Sequence, residues 1–581
     1  AQLAAITPSQ LNPEELTLID PASGSGHILV EAYELFKAIY LERGYRQRDV
    51  PQLILEKNLY GLDIDERAAQ LTSFALMMKG RADDRRLFER GVKLNVMAMN
   101  DSADFDAESL ASSIDLSSYN LSTLDLRELK DLFEHATTFG SLIQVPEGLA
   151  EKLPALKQLS EATSQDLFVS EALKRLDPLV QQAELLAAQY DAVVANPPYV
   201  GSKFHVPVLK KFLKDHYSGY EKDLFSAFID RDFAFSKPQG RLGFMSPFVW
   251  MFISSYEHLR SRLINQETIS SLIQLEYSGF DGATVPICTF TLEKGNLDGQ
   301  KGCYIRLSDF RGSDNQGPKT LEAIKNRDCG WFFEAAQDEF RKLPGSPVAY
   351  WVGDRVRQIF EEATPLGTLV KAKQGLATAD NDQFLRQWFE VSQLKLDYTC
   401  SGREVALASK KKWFPYNKGG GFRRWAGNRD YVVNWEADGR EIRVFGTEAG
   451  GRPRSRAQNT EYYFRTSLSW SDITSGPPSF RVFPHGFIHD VKGMSAFHDD
   501  SQYLKLITAY CNTPLVTHAA RALNPSLSFQ VGNFQGLPFL EHQTHCIAAH
   551  VSALANELCT LATHDWNAYE RSWDFQSLPL L

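Results

Sequence analysis

The chain has 581 residues, enough for about two to four domains, and its 43% hydrophobic and 23% charged composition is that of an ordinary globular protein. No apolar run approaches the ~18 residues of a membrane span, and the opening Ala1-Gln2-Leu3 lacks a basic-then-apolar signal, so no membrane partner is expected. Seven scattered cysteines with no CxxC pair argue against a disulfide framework or a zinc ribbon; a cytoplasmic location and no metal site are expected.

The net charge of −10 hides an asymmetry. Residues 101–190 hold 16 Asp/Glu against 6 Lys/Arg, whereas residues 371–540 hold 22 Lys/Arg against 15 Asp/Glu. The whole-chain balance therefore says little about partners.

In chain order, strand-like apolar runs alternate with helical stretches, the pattern of a parallel α/β sheet. Residues 16–20 read as a strand and 27–41 as its helix; 59–63 and 66–78 repeat the pair. A short apolar strand at 191–195 ends on a Pro-Pro turn, and 241–245, 269–275 and 288–292 read as later strands. Leucines near helical spacing mark an acidic helical insertion over about 103–188. The expected organisation is a Rossmann-like domain over 1–300, a connector over 301–365, a mixed α/β or mainly β domain over 366–540, and a C-terminal helical segment over 541–581.

Asp20-Pro21-Ala22-Ser23-Gly24-Ser25-Gly26 lies where a strand turns into a helix. There Gly24 and Gly26 allow close ligand approach, and the helix start adds N–H donors. Such turns are common, so the signal is weak alone. Tyr60-Gly61-Leu62-Asp63-Ile64-Asp65 sharpens it by putting carboxylates at the end of the second strand, where an acidic residue accepts ribose hydroxyls. With no further phosphate-cradling glycines and no GK[ST], a neutral nucleoside carrying a sulfonium fits better than a dinucleotide or ATP. Asn100-Asp101-Ser102 reads equally as a contact to the adenine of that ligand or as a helix cap.

Asp191-Ala192-Val193-Val194-Ala195-Asn196-Pro197-Pro198-Tyr199 is the most informative segment. Two prolines stiffen a loop after a buried strand. The Asn196 amide oxygen and the Pro197 carbonyl can each accept a hydrogen bond from an exocyclic amine. Two acceptors pull that nitrogen toward tetrahedral geometry and free its lone pair to attack a sulfonium methyl in line, so orientation and electrostatics suffice. Tyr199 offers a face for a planar base, which must be flipped from a duplex to reach the loop.

Lys410, Lys411 and Lys412 precede Trp413-Phe414-Pro415-Tyr416-Asn417-Lys418, three glycines, then Phe422-Arg423-Arg424-Trp425. Residues 410–425 carry six positive charges and no negative one, and Arg452, Arg454 and Arg456 form another acid-free patch. Basic side chains among aromatics and glycines suit phosphate contact. A solvated basic loop is the bland alternative.

The order of DPASGSG, GLDID and NPPY resembles the gamma class of methyltransferases acting on adenine N6, and almost the whole chain resembles the adenine methyltransferases of BREX phage-defence systems. Gln374 to Phe384 resembles the opening of their target-recognition domain, with Asn524-Pro525 and Leu537-Pro538-Phe539 near its close. The resemblance implies S-adenosylmethionine as cofactor, double-stranded DNA as partner, other BREX defence proteins as further partners, and host DNA marking as the activity. It assigns Asp20, Ala22, Gly24, Gly26, Asp63, Ile64, Asp101, Ser102, Asn196 and Phe225 to the cofactor. Asn196, Pro197, Pro198 and Tyr199 form the catalytic loop. Phe280, before Ala283-Thr284-Val285, becomes a second face for the flipped base. Lys410, Lys411, Lys412, Lys418, Arg423, Arg424, Arg452 and Arg454 become DNA contacts. Related restriction–modification enzymes add a nuclease, for which no PD-(D/E)xK-like cluster is visible. A protein-glutamine or RNA methyltransferase, the methyltransferase half of a restriction–modification enzyme, and a DNA-specificity protein with a vestigial catalytic half are the alternatives. Gamma-class enzymes carry a cofactor segment upstream of the glycine turn; only 19 residues precede Asp20 and Ile6-Thr7-Pro8 is a poor substitute, so the chain is expected to be the middle of a longer polypeptide.

Overall fold

Leu18–Asp20 (β1) and Leu59–Asp63 (β2) are short, apolar and almost wholly buried, as strands covered on both faces must be. In the computed structural model, which describes residues 11–280, 285–297, 299–447, 450–474, 476–525 and 527–578, they pair in parallel toward one edge of a larger sheet. The remaining strands are Asn95–Ala98 (β3), Tyr190–Ala195 (β4), Ser236–Pro247 (β5), Thr268–Gln274 (β6), Ile287–Glu293 (β7), Lys301–Arg306 (β8) and Phe332–Ala336 (β9). Among the described residues the order is β3-β2-β1-β4-β5-β7-β6-β8-β9. From β3 to β5 the neighbours are parallel; β7 runs antiparallel to both β5 and β6. The chain leaves β1 in one direction and returns to β4 on its other side. That reversal opens a crevice at the carboxyl ends of β1 and β4, where open α/β sheets bind ligands.

Helix His27–Glu42 (α1) buries Leu29, Ala32, Tyr33, Phe36 and Tyr40, an i, i+3, i+4, i+7, i+11 stripe that packs on β1 and β2. Helix Glu66–Asp83 (α2) starts at Asp65, whose carboxylate accepts the Arg67 N–H at 2.8 Å. Between β3 and β4 the acidic insertion is helical as expected, and its last helix, Leu167–Ala187 (α3), buries Leu173, Leu176, Leu179 and Val180. Gln182 of α3 is buried and exchanges hydrogen bonds with the Asn100 backbone at 2.9 and 3.0 Å, anchoring the insertion to the end of β3. Two helices, Pro207–His216 (α4) and Leu224–Phe235 (α5), lie between β4 and β5 in the chain.

The sequence and the structure part at 301–365. The expected connector supplies β8, β9 and helix Ser313–Lys325 to the first sheet. The alternation there is faint because β9 is an edge strand and β8 opens on Lys301-Gly302. The chain divides into one unit of residues 1–250 with 255–338, and another of 251–254 with 339–581.

In the second unit one four-stranded sheet runs Lys371–Lys373, Ser495–Phe497, Ser467–Ser469, Arg481–Phe483. Another runs Leu385–Gln387, Tyr431–Asn434, Trp413–Asn417, Ile488–His489. Helices Ser501–Cys511 and Pro514–Leu523 contribute to one core, around Trp470 and Phe534, whose rings stack at 4.3 Å. Helix Ala548–Asn567 follows in the C-terminal segment, preceded by Glu541–Cys546. No helix among the described residues is long and apolar enough to cross a membrane.

Candidate active site

The turn after β1 is built around two locks. Gly26 has φ +80°, and a Cβ there would lie 2.9 Å from Thr72 Cγ2, so only glycine fits. Thr72 Oγ1, on α2, donates to the Gly24 carbonyl at 2.9 Å. Asp63 then closes the turn from the end of β2: its Oδ2 accepts the Gly24 N–H at 2.8 Å and its Oδ1 accepts the Asp65 N–H at 2.9 Å. Its remaining lone pairs are open to a ligand.

A cavity of about 300 Å³ opens at this point, between the ends of β1, β2 and β4. Ala22, Asp63, Ile64 and Asn196 line it, together with Leu224 and Phe228 from α5. Its other wall is Thr138–Leu142 of the insertion, which no sequence motif marks. That wall is tied down on three sides. Ser141 Oγ donates to the Pro21 carbonyl at 2.6 Å, Asp101 accepts from the Thr137 N–H at 2.8 Å and from its hydroxyl at 2.9 Å, and the buried Arg231 of α5 donates to the Ser141 carbonyl at 3.0 Å. Gly140 sits at φ +58°, ψ −144°, a region open to glycine alone, and a Cβ there would lie 2.8 Å from Ile64 Cγ2.

Several expected cofactor residues do their work from outside the lining. Asp101 holds the wall rather than facing the cavity, and Ser102 is buried with its hydroxyl on the Lys130 carbonyl. Gly24 and Gly26 shape the turn. Asp20 is buried at 1% exposure and accepts the Ala22 N–H at 3.1 Å; burial, reinforced by the Asp63 charge, pushes its pKa up to about 7. Phe225 is replaced at the lining by Leu224 and Phe228, which share one face of α5 at i, i+4, while Phe225 points to Tyr199 and Tyr256. Asp65 is a helix cap.

At the end of β4, Pro197 is buried and Asn196 and Pro198 are exposed into the cavity. The Tyr199 hydroxyl donates to Asn196 Oδ1 at 2.7 Å and lies 3.1 Å from the Met245 carbonyl, which fixes the amide's rotamer. Desolvation raises the pKa of that hydroxyl, so it stays a donor. The Tyr199 ring is 36% exposed and edge-on to Phe225 at 6.4 Å. Phe280 is 44% exposed and outside the cavity lining; Ala283 and Thr284, like Ile6, Thr7 and Pro8, lie outside the described residues.

In the second unit the segment read as a basic loop is partly a core strand: Phe414, Pro415, Tyr416 and Asn417 are buried, because Phe414 and Tyr416 fill an apolar core. Lys411 Nζ donates to the Leu394 carbonyl at 2.6 Å, and Lys412 faces Glu436 at 3.9 Å. Lys418 lies over the Tyr431 ring, and Arg423 pairs with Asp565 at 3.0 Å while its guanidinium covers Trp566. Lys410, Arg424, Arg452 and Arg454 are exposed.

Residues 57–280, from β2 to just past β6 and including the β4 loop, match the model of the Eco57I restriction-modification methylase family. The adenine-specific methyltransferase BrxX of Escherichia coli O9:H4 (strain HS) is 36% identical over 100% of this chain and 48% of its own length. Over residues 57–280 the chain is thus similar to this methylase family, and along its whole length to an adenine-specific methyltransferase. A second relative, the adenine-specific methyltransferase PglX of Lacticaseibacillus casei (strain Zhang), is 34% identical over 99% of this chain and 48% of its own length. The chain thus spans about half the length of the curated relatives it matches. The type IIL restriction-modification enzyme MmeI, solved in complex with DNA, shares the methylase fold at TM-score 0.52 and 13% identity, over 97% of this chain and 67% of that one.

Proposed function

We propose that this chain carries the cofactor site and catalytic loop of a DNA methyltransferase that transfers a methyl group from S-adenosylmethionine to N6 of adenine. The observation that carries the reading is the meeting of Ala22, Asp63 and Asn196, from three different strand ends, at one cavity.

The lining suits this cofactor. It is mostly apolar with few polar groups, as small-molecule sites are, and it includes no lysine or arginine, which suits a nucleoside without phosphates. Asp63 would hold the ribose hydroxyls, Ile64, Phe139 and Leu142 would flank the adenine, and Ala22 with Leu224 and Phe228 would border the methionine end. When bound, S-adenosylmethionine supplies an electrophilic methyl on a positively charged sulfur.

The chain's own residues do the rest. Asn196 Oδ1 and the Pro197 carbonyl accept the two hydrogens of the target amine and hold its lone pair toward the cavity. Tyr199 fixes the Asn196 amide through its hydroxyl and offers its ring to the base. Proline stiffness keeps both acceptors in place without a reorganisation cost at the moment of transfer. The exposed cations of the second unit, among them Arg424, Arg452 and Arg454, would meet the phosphates of double-stranded DNA. The names of the relatives support adenine as the base. With the expected place in BREX defence, the product would be methylated host DNA, and the other proteins of that system would be its partners.

The test is to incubate the protein with duplex DNA and S-adenosylmethionine and digest the DNA for mass spectrometry. N6-methyladenine is the expected product. Methyl groups found on peptide glutamine or on RNA, with none on DNA, would overturn the reading.

A further inference from the structure

Between Val200 and Lys222 the chain holds five lysines against two carboxylates. Lys222 pairs with Glu221 at 3.3 Å. Lys203, Lys210, Lys211 and Lys214 are exposed, and none has a carboxylate partner among the described residues. Helix α4 displays three of them for a simple reason. Leu209 and Leu213 are buried, and Phe212 stacks on Phe139 of the cavity wall at 4.0 Å and 10°. With that face committed inward, Lys210, Lys211 and Lys214 point outward at i, i+1 and i+4, a spacing at which like charges repel. Lys203 sits in the turn before, over the ring of Phe204, which is 70% exposed.

This cationic face is fixed to the catalytic loop. Val200, the residue after Tyr199, accepts hydrogen bonds on its carbonyl from His205 Nε2 at 2.8 Å and from the Leu224 N–H at 3.2 Å. Ser202 N–H donates to the Lys222 carbonyl at 2.9 Å. An anion bound on α4 is therefore held at a set position relative to Asn196.

We propose that α4 and the turn before it form a phosphate-docking face for duplex DNA on the catalytic unit itself, positioning the strand whose base enters the loop. The proposal rests on the methyltransferase reading above. Duplex DNA fits because it brings closely spaced negative charges to a row of cations that have no carboxylate partner among the described residues, and each phosphate neutralised releases condensed counterions. The exposed Phe204 suits the aromatic contact that an unstacked base offers.

The test compares the parent chain with K210Q/K211Q/K214Q and with K203Q. Binding to two duplexes of unrelated sequence is followed by fluorescence anisotropy across a salt series, and S-adenosylmethionine binding by calorimetry. The triple variant is expected to bind both duplexes on the order of 10- to 100-fold more weakly near 0.15 M salt, with the log–log salt slope reduced by roughly one for each phosphate that is no longer neutralised. S-adenosylmethionine affinity should stay that of the parent, which also reports an intact fold. An unchanged salt slope in the triple variant overturns the docking face while leaving the cofactor site standing. A parent that takes the cofactor but no duplex also overturns it. A parent that binds duplex but no cofactor sinks the methyltransferase reading, and the slope comparison then still decides whether α4 meets phosphates. Dissociation of a parent dimer by the triple variant, with DNA binding unaltered, would assign the face to a second copy's acidic insertion instead.

Discussion

Lysines 410–412 and lysines 210, 211 and 214 look alike as sequence and differ as structure. In the second unit Lys411 is spent on a carbonyl and Lys412 on Glu436, and the residues that follow are buried in a strand. On α4 the three amines have no carboxylate partner among the described residues, on a helix whose other face is packed. The contrast teaches that positive charge in a sequence is not the same as positive charge available to a polyanion. A cation with a partner must first give it up, so it shows itself in stability; a free one shows itself in salt dependence.

The same division sorts the catalytic groups, and the sharpest way to break it is Asn196→Ala. Asn196 faces the cavity and its amide oxygen is held by the neighbouring Tyr199 hydroxyl, so its loss should lower the rate of methyl transfer 10²- to 10³-fold, about 3–4 kcal/mol, with cofactor affinity nearly intact. A rate within a few-fold of the parent would remove Asn196 from the chemistry.

Asp63→Ala comes next, because Asp63 is both engaged and open. The substitution removes the ribose acceptor and frees the Gly24 N–H. Cofactor affinity measured by calorimetry should fall tenfold or more, about 1.5–3 kcal/mol for a charged hydrogen bond. Unchanged affinity in the folded variant would move the ribose elsewhere.

Asp20 extends the comparison to pH. Its pKa rises from 3.8 in the unfolded chain to about 7 in the fold, so between those values the folded state binds more protons and stability falls as pH rises. Asp20→Asn should match the parent near pH 4 and gain on it in thermal melts up to about pH 7, with the gain flat above that. A gain that instead grew toward acid would reverse the sign and place a cation beside Asp20.

The smallest expected effect separates two adjacent arginines. Arg423→Ala should cost the second unit about 1 kcal/mol, because it breaks the Asp565 pair and uncovers Trp566. Arg424→Ala should leave stability within about 0.5 kcal/mol and lower the salt slope of DNA binding. Equal melting temperatures for the two variants would erase the distinction.

What the sequence disclosed followed from local rules. Buried parallel strands leave continuous apolar runs, and strand-end motifs sit where the fold turns, so β1, β2, β4, the Asp20–Gly26 turn and the Asn196 loop were legible together with the α/β class. The wall at Thr138–Leu142 was not, because its partners lie far away in the chain: Ser141 meets Pro21, and Arg231 meets Ser141. Asp101 was visible as a polar residue after a strand, but its bond to Thr137 depends on a loop that no periodicity describes. Phe225 stood next to the lining residues, and only the phase of α5 separates it from them.

The geometry of Gly140 sets a rule for variation in this lineage. The exposed faces of the insertion's helices can drift in composition, since they meet solvent. Position 140 cannot, because any side chain would collide with Ile64 and demand a backbone that glycine alone adopts. A saturation library across Thr138–Leu142 should therefore show its narrowest tolerance at that residue, and trimming Ile64 should relieve the collision of a Gly140 variant but not its backbone demand.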